Sequence, residues 1–291
     1  MLRNLPIIAL VAAFIAPLAA AQAERTDLQP LLQRSWADDP IWYDGQAEIA
    51  TYQATRRIYG SPRAYTAQIM INKERMSPDT FTKSQGNEGF EVFKLHVRDE
   101  DIPTAKYDYN FSTMVYVSTE GFIPFKLDMG SQEDCGASFK RFQIEPDQLF
   151  AQQYSYFPNQ GFREMRGAAD DTAVWLDALP LLLRGYPFDA PLDPLTIAVV
   201  PEQTTTKWSP IEPDHYRLAY AGRESLDLPI GNIDAHKLTL TFVGPTRERR
   251  PDVTLHFHAD PATGHPLVAY DDPHLGQTYR LQQLARDAYW R

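Results

Sequence analysis

Tyr107-Asp108-Tyr109-Asn110-Phe111-Ser112-Thr113-Met114-Val115-Tyr116-Val117 is the stretch whose reading decides the fold. Tyr107, Tyr109, Phe111, Thr113, Val115 and Val117 alternate with their neighbours for eleven residues. Period two is the pattern of a strand with one buried face. Upstream, Tyr65, Ala67, Ile69 and Ile71 repeat it after the Gly60-Ser61-Pro62 turn, and Gln46–Tyr59 reads as a long strand leading into that turn. Phe90–Val97 resumes the alternation, and Gly121 and Pro124 turn the chain into Phe125-Lys126-Leu127. Further strands are expected at 138–144 and 149–157, then at 195–200, 216–221, 236–243, 253–259, 267–270 and 278–288. The pattern changes only near residue 170. There Asp170 and Asp171 precede Val174, Trp175, Leu179 and Leu182 at helical spacing, Pro180 interrupts and Gly185 ends it. The expected fold is mainly β: an antiparallel curved sheet or half-barrel covered by one short helix. Two lobes, 45–165 and 190–291, joined by a helical segment near 170–185, are the alternative within a β domain of 45–291.

Composition agrees with this and excludes some function classes. Fifteen Tyr, 15 Phe and 5 Trp in 291 residues favour pleated surfaces. Thirty-eight acidic against 28 basic residues give a net charge of −10, which makes nucleic acid and anionic membrane surfaces poor partners. Cys135 is the single cysteine, so no internal disulfide forms and burial alone must hold the fold.

The N terminus reads as a secretory signal peptide, residues 1–23. A short basic start, an apolar run interrupted by Pro6 and Pro17, and Ala21-Gln22-Ala23 place cleavage after Ala23. The run is too short for a comfortable membrane span, which needs about 20 apolar residues, and no lipid-attachment cysteine follows. A periplasmic or secreted protein that does not span a membrane after cleavage is expected, opening with an irregular segment at 24–44.

Three sets of residues invite a chemical reading. His256 and His258 sit two apart on an expected strand, about 6.6 Å along one face, and His265 follows the next turn, which makes a three-nitrogen metal site conceivable. Paired histidines on an exposed strand are the commoner explanation. Cys135, followed by Gly136, is a possible reactive thiol, although Glu133 and Asp134 oppose thiolate formation. The acid pairs Asp38-Asp39, Asp170-Asp171 and Asp271-Asp272 each abut a turn or helix start, where capping explains them. No G-x-S-x-G, H-E-x-x-H, P-loop or dinucleotide fingerprint occurs. No catalytic residue is assigned and no cofactor is expected. Arg247, Arg249 and Arg250 read as a solvated hairpin tip, with a docking patch for an acidic partner as the minority reading.

Three stretches together carry a resemblance: Trp42-Tyr43-Asp44-Gly45-Gln46-Ala47-Glu48 through Arg57-Ile58-Tyr59-Gly60; Ser131-Gln132-Glu133-Asp134-Cys135-Gly136; and Thr278-Tyr279-Arg280-Leu281 to Ala288-Tyr289-Trp290. They resemble a family of uncharacterised exported bacterial proteins, some of which carry a misleading septum-formation label. That family in turn looks like the periplasmic β half-barrels that include the lipoprotein-localisation carriers. The resemblance implies a curved antiparallel sheet around a helix, able to hold an acyl chain, and implies no activity. Asp134 departs from the family, which has an aromatic residue before the cysteine.

One short helix is too small to cover some ten strands, so either the sheet curls on itself or something else fills it. The expected function is therefore non-catalytic binding of a lipid-like or other apolar ligand, or of an envelope partner. Tyr107, Tyr109, Phe111, Phe125 and Trp175 are the expected lining. A metal- or cysteine-dependent periplasmic hydrolase and a structural envelope protein are the alternatives. A structural protein would show a filled core and an exposed apolar patch instead of a pocket.

Overall fold

The computed structural model describes residues 26–145, 148–168, 170, 172–244 and 250–291. The expected signal peptide with its cleavage point, Asp171, and the hairpin-tip residues Arg247 and Arg249 lie outside the described residues. Arg250 packs back onto the sheet, 2.8 Å from Asp214 and over the Phe242 ring.

Among the described residues fifteen strands form one sheet. In the first half they are β1 (Ala47–Ile58), β2 (Ser61–Met76), β3 (Phe90–Pro103), β4 (Asp108–Ser118), β5 (Pro124–Glu133), β6 (Gly136–Glu145), β7 (Gln148–Ser155) and β8 (Gly161–Ala168). The second half contributes β9 (Val174–Trp175), β10 (Leu195–Val200), β11 (Asp214–Leu228), β12 (Gly231–Phe242), β13 (Val253–His258), β14 (Leu267–Asp272) and β15 (Gln277–Asp287). The spatial order is β8-β7-β6-β5-β4-β3-β2-β1-β15-β14-β13-β12-β11-β10-β9. Each half is a meander, and the antiparallel pairing of β1 with β15 joins them into one sheet. Only β9 and β10 run parallel. A twisted sheet of this width must curl, because open sheets rarely exceed about 10 strands without doing so. It does not close, and β8 and β9 are its two edges.

Alternation decides which side chains face inward. Val115 and Val117 belong to the main core, whereas Tyr116 between them packs with Met76, Val92 and Phe125 in a second cluster on the opposite face. The helical segment is shorter than its spacing suggests. It begins at Leu176 and consists of a 3-10 turn (Leu176–Ala178), α1 (Leu179–Leu182) and a second 3-10 turn (Leu183–Gly185). Val174 and Trp175 are strand, paired with Val199 and Val200, so the helical reading of those two positions is corrected. Pro180 lies in the first turn of α1, where its missing N–H costs nothing. Asp170 accepts from the Thr172 and Ala173 amides in a local turn that precedes β9 rather than a helix. Two acid pairs act in the same way, Asp39 accepting from Ile41 N and Asp272 from Leu275 N.

The concave face is filled by the chain itself. Leu179, Leu181, Leu182 and Leu183 enter the core with Trp36 and Trp42 from the N-terminal segment. Arg184, 2% exposed, locks them in place. Its guanidinium makes a two-pronged bond to Glu48 of β1, at 2.8 and 3.0 Å, donates to Gly264 O, and lies over both the Trp36 and Trp42 rings. The rest of the concavity is closed by the strap Pro201–Ile211, whose backbone meets inward polar groups of the sheet. Lys140 donates to Gln203 O, Gln153 to Ser209 O, Ser155 to Thr206 O and Arg56 to Thr204 O. Thr204 also bonds Thr113 and the half-buried Asp177.

Removing one partner of a buried ion pair strands the other charge in low dielectric, at a cost of about 3–5 kcal/mol. Glu48→Ala is expected to lower the denaturation midpoint by that order. Glu224→Ala, which removes a carboxylate 39% exposed in its side chain, is expected to cost less than about 1 kcal/mol. Equilibrium urea unfolding of the two variants checks the ranking.

Candidate functional site

The turns β1–β2, β3–β4 and β5–β6 lie side by side on one rim of the sheet, because β1 to β6 are consecutive neighbours. The first is the two-residue turn Tyr59-Gly60, with φ of +51° and +77°. Both central residues are left-handed, as the hairpin twist requires, and glycine takes the second place without strain. The turn carries the Tyr59 ring, 68% exposed, to the rim. There its hydroxyl bonds those of Tyr107, at 2.8 Å, and Tyr109. The third turn brings Cys135, whose Sγ lies 2.7 Å from the Tyr107 hydroxyl.

Two of the five expected lining residues and the expected thiol therefore meet, on the rim rather than in a cavity. Phe111 continues the row below them, its ring stacked on Tyr109 at 6.0 Å and buried beneath the Arg56 guanidinium at 4.7 Å, whereas Phe125 belongs to the second cluster and Trp175 packs edge-on against Phe142.

The rim cluster is electrostatically quiet. Hydrogen bonding to Cys135 and Tyr59 pushes the Tyr107 hydroxyl well above the ordinary phenol range, and burial does the same to Tyr109, so both stay neutral. Burial pushes the Glu133 carboxyl up to about 7, against the opposing hydrogen bonds of Ser131 and Tyr109. A neutral phenol is no base for a thiol. Beneath the rim lies a charged layer: Asp99 accepts from Arg56, Tyr279 and Gln277, and burial pushes its carboxyl up. Desolvation also lowers Lys140 to about 7 and raises Glu202 to about 8. Every one of these groups faces the strap or another strand.

The three histidines do not converge. His256 bonds the Glu224 carboxylate through Nε2, and His258 Nδ1 accepts from the Asp260 amide. His265 Nδ1 meets the His258 backbone oxygen, not its ring. Among the described residues no group of three or more His, Cys, Asp or Glu side chains is placed to hold a metal. His265 instead packs against Phe188 with His236, which lies flat on the Phe188 ring at 4.2 Å.

Sequence reading missed a second feature beside the rim. β8 shows no alternation, and every residue in it except the half-buried Met165 is exposed. It is the last strand of the sheet, paired only with β7. Phe139, Tyr154 and Phe162 stand directly opposite one another across β6, β7 and β8, exposed by 40, 46 and 63%. Tyr156, also exposed, adjoins Gly136, where an added Cβ would come within 2.6 Å of its ring. The signal available in sequence was the spacing of Phe139, Tyr154 and Phe162 about two hairpins of equal arm length.

No protein-family model matches the chain, and no curated protein does. Among solved structures the chain is similar to the crystal structure of a β-barrel-like protein of a domain of unknown function, DUF1849, from Brucella abortus. The TM-score is 0.48 at 9% identity, over 83% of this chain and 98% of that one.

Glu133 supplies a test of the rim. In the folded protein it keeps its proton to about pH 7, whereas unfolded it ionises near the ordinary 4.5. The folded state thus holds the extra proton, and stability falls as pH rises through that window. Glu133→Gln is expected to gain stability relative to wild type between pH 4.5 and 7.5, read as the difference in urea midpoints. A difference that does not change with pH would contradict the assigned shift.

Proposed function

We propose that this is an exported, non-catalytic envelope protein that works by docking a partner on the outer surface of its sheet. The partner is an extended, apolar polypeptide segment that adds a strand to β8. The supporting observation is the edge itself. β8 offers a free row of backbone donors and acceptors, and unprotected edges of this kind are templates for strand addition. The Phe139–Tyr154–Phe162 ladder alongside supplies the apolar surface on which alternate side chains of the incoming strand would rest. Met165, half-buried at the edge of the main core, offers a second contact on the inner face.

A lipid or other apolar small molecule held inside is the weaker form of the binding reading. The strap and the helical segment occupy the concavity, and of the expected lining residues Phe111 and Trp175 are packed into the core while Phe125 lies on the opposite face. The hydrolase reading is weaker still, because the polar neighbour of Cys135 is a phenol and the histidines turn to other partners. A filled interior with an exposed aromatic patch favours an envelope role through surface contact.

A photo-crosslinking residue at Phe162, in cells that make the protein, is expected to capture one defined polypeptide, and the same residue at the exposed Ile230 is not. Synthetic peptides spanning the captured segment should then protect the amides of residues 161–168 from hydrogen exchange. Equal capture from both positions, or no protection along β8, overturns the reading.

A further inference from the structure

The outer face of β2 and β3 carries a cleft that the docking edge does not use. Its volume is about 400 Å³, and it lies between the β2–β3 loop and the C-terminal Tyr289-Trp290. The walls are fixed. Arg75 donates to Glu88 O at 3.1 Å and to Gly89 O, and Ser84 N returns to Arg75 O, so the loop is tied down along β2. Lys126 donates to Phe81 O at 2.7 Å and anchors its far side. Gly89 takes φ +81°, and a Cβ there would meet Met76 O at 2.1 Å, so the loop closes only with glycine at that position.

The floor is made of polar side chains with unused hydrogen-bonding capacity. Asn72 is 5% exposed, and its Oδ1 has no donor. Glu74, 8% exposed in its side chain, has an Oε2 that likewise accepts no hydrogen bond. The ammonium groups of Lys83 and Lys94 each stand 3.8 Å from that oxygen, close enough for ionic attraction and too far for a bond. Buried acceptors without donors are costly, which makes them a mark of a site that a ligand or water completes. At the mouth, the Tyr289 and Trp290 rings meet edge to face at 5.0 Å and stay 40 and 46% exposed.

A ligand for this cleft must donate to the Asn72 and Glu74 oxygens, accept from lysine, and present a flat apolar face to a ring. Sugar hydroxyls both donate and accept, and the C–H face of a pyranose packs on aromatic rings. Charge narrows the class. The Lys83 and Lys94 ammonium groups flank the one carboxylate of the cleft, while Lys73 turns its ammonium to Tyr43 and Glu91 and Arg75 is held by the loop carbonyls, which leaves a net positive cleft in a chain whose net charge is −10. We propose that the cleft between the β2–β3 loop and Tyr289-Trp290 binds an acidic saccharide, its hydroxyls bonded to Asn72 and Glu74 and its carboxylate or phosphate facing Lys83 and Lys94. This site is independent of the β8 edge.

Isothermal titration with a galacturonic-acid trisaccharide tests it, with the neutral trisaccharide maltotriose and inorganic phosphate as comparison probes. The acidic trisaccharide is expected to bind at least fivefold more tightly than either, with an affinity that falls as salt rises. Trp290→Ala and Lys83→Ala should each weaken it at least tenfold. Lys83 is 68% exposed in its side chain, so its variant keeps the fold and remains a fair test if Trp290→Ala does not. No binding of the acidic trisaccharide at millimolar concentration, phosphate binding as tightly, or unchanged affinity in Lys83→Ala overturns the proposal.

Discussion

The Arg184–Glu48 pair is the constraint on which the rest of the interior depends. A guanidinium 2% exposed can be tolerated only if its donors are used, and here three of them are spoken for by Glu48 and Gly264. Those bonds tie the helical segment to the first strand and to the β13–β14 turn at once. The two tryptophans stacked on the same guanidinium draw the N-terminal segment into place. One cation thereby fixes four separate parts of the chain around a common point. Its planar fork explains why lysine would not serve, since a single ammonium cannot match both carboxylate oxygens and two ring faces.

With the interior closed by its own chain, the polar layer beneath the rim takes on a structural meaning. Arg56, Asp99, Lys140, Asp177 and Glu202 would be an expensive set of charges in an empty barrel. Three of them meet the strap's backbone, Thr204 O accepting from Arg56, Gln203 O from Lys140 and Gln203 N donating to Asp177, while Asp99 is held by Arg56, Tyr279 and Gln277 and Glu202 pairs with Arg56. The strap has no regular secondary structure to satisfy its own peptide groups, so each side needs the other. The result is a sheet whose inner face is apolar around the helical segment and hydrogen-bonded around the strap.

The fold was largely legible in the sequence because alternation is a local signal. Val115 and Val117 on one face and Tyr116 on the other were readable from spacing alone, and most strands fell where the pattern put them. Inward charges escaped, because Arg56 follows Tyr52 and Ala54, and Asp99 follows Leu95 and Val97, at positions where alternation leads one to expect apolar residues. Their partners were not visible, since Arg56 meets Asp99 and Thr204 only once the meander is laid out. β8 escaped because an edge strand exposed on both faces has no hydrophobic period to read. Val174 and Trp175 were assigned to the helix because apolar residues at three-to-four spacing fit a helical face, while their pairing with Val199 and Val200 is non-local. The rim cluster was half legible: Tyr107 and Tyr109 lay in the clearest strand, but that Cys135 and Tyr59 join them follows from three turns sharing one end of the sheet.

The seam between β1 and β15 has a consequence for how chain order relates to spatial order. The two strands flanking the middle of the sequence, β8 and β9, stand at opposite edges, while the first and last strands meet at the centre. The segment leading into β1 is tied there to the end of β15 and the residues after it, with Arg286 bonded to Asp44 at 3.0 Å and an Arg291 nitrogen within 3.3 Å of where a Gly45 Cβ would lie. Read from β9 through β15 and on from β1 to β8, every strand follows its spatial neighbour in order. The spatial order is thus the chain order started from the middle, and the one pairing that departs from it, β1 with β15, joins residues more than 200 apart in sequence. Because closing so long a loop carries a high entropic cost, the centre of this sheet is its most non-local strand pairing.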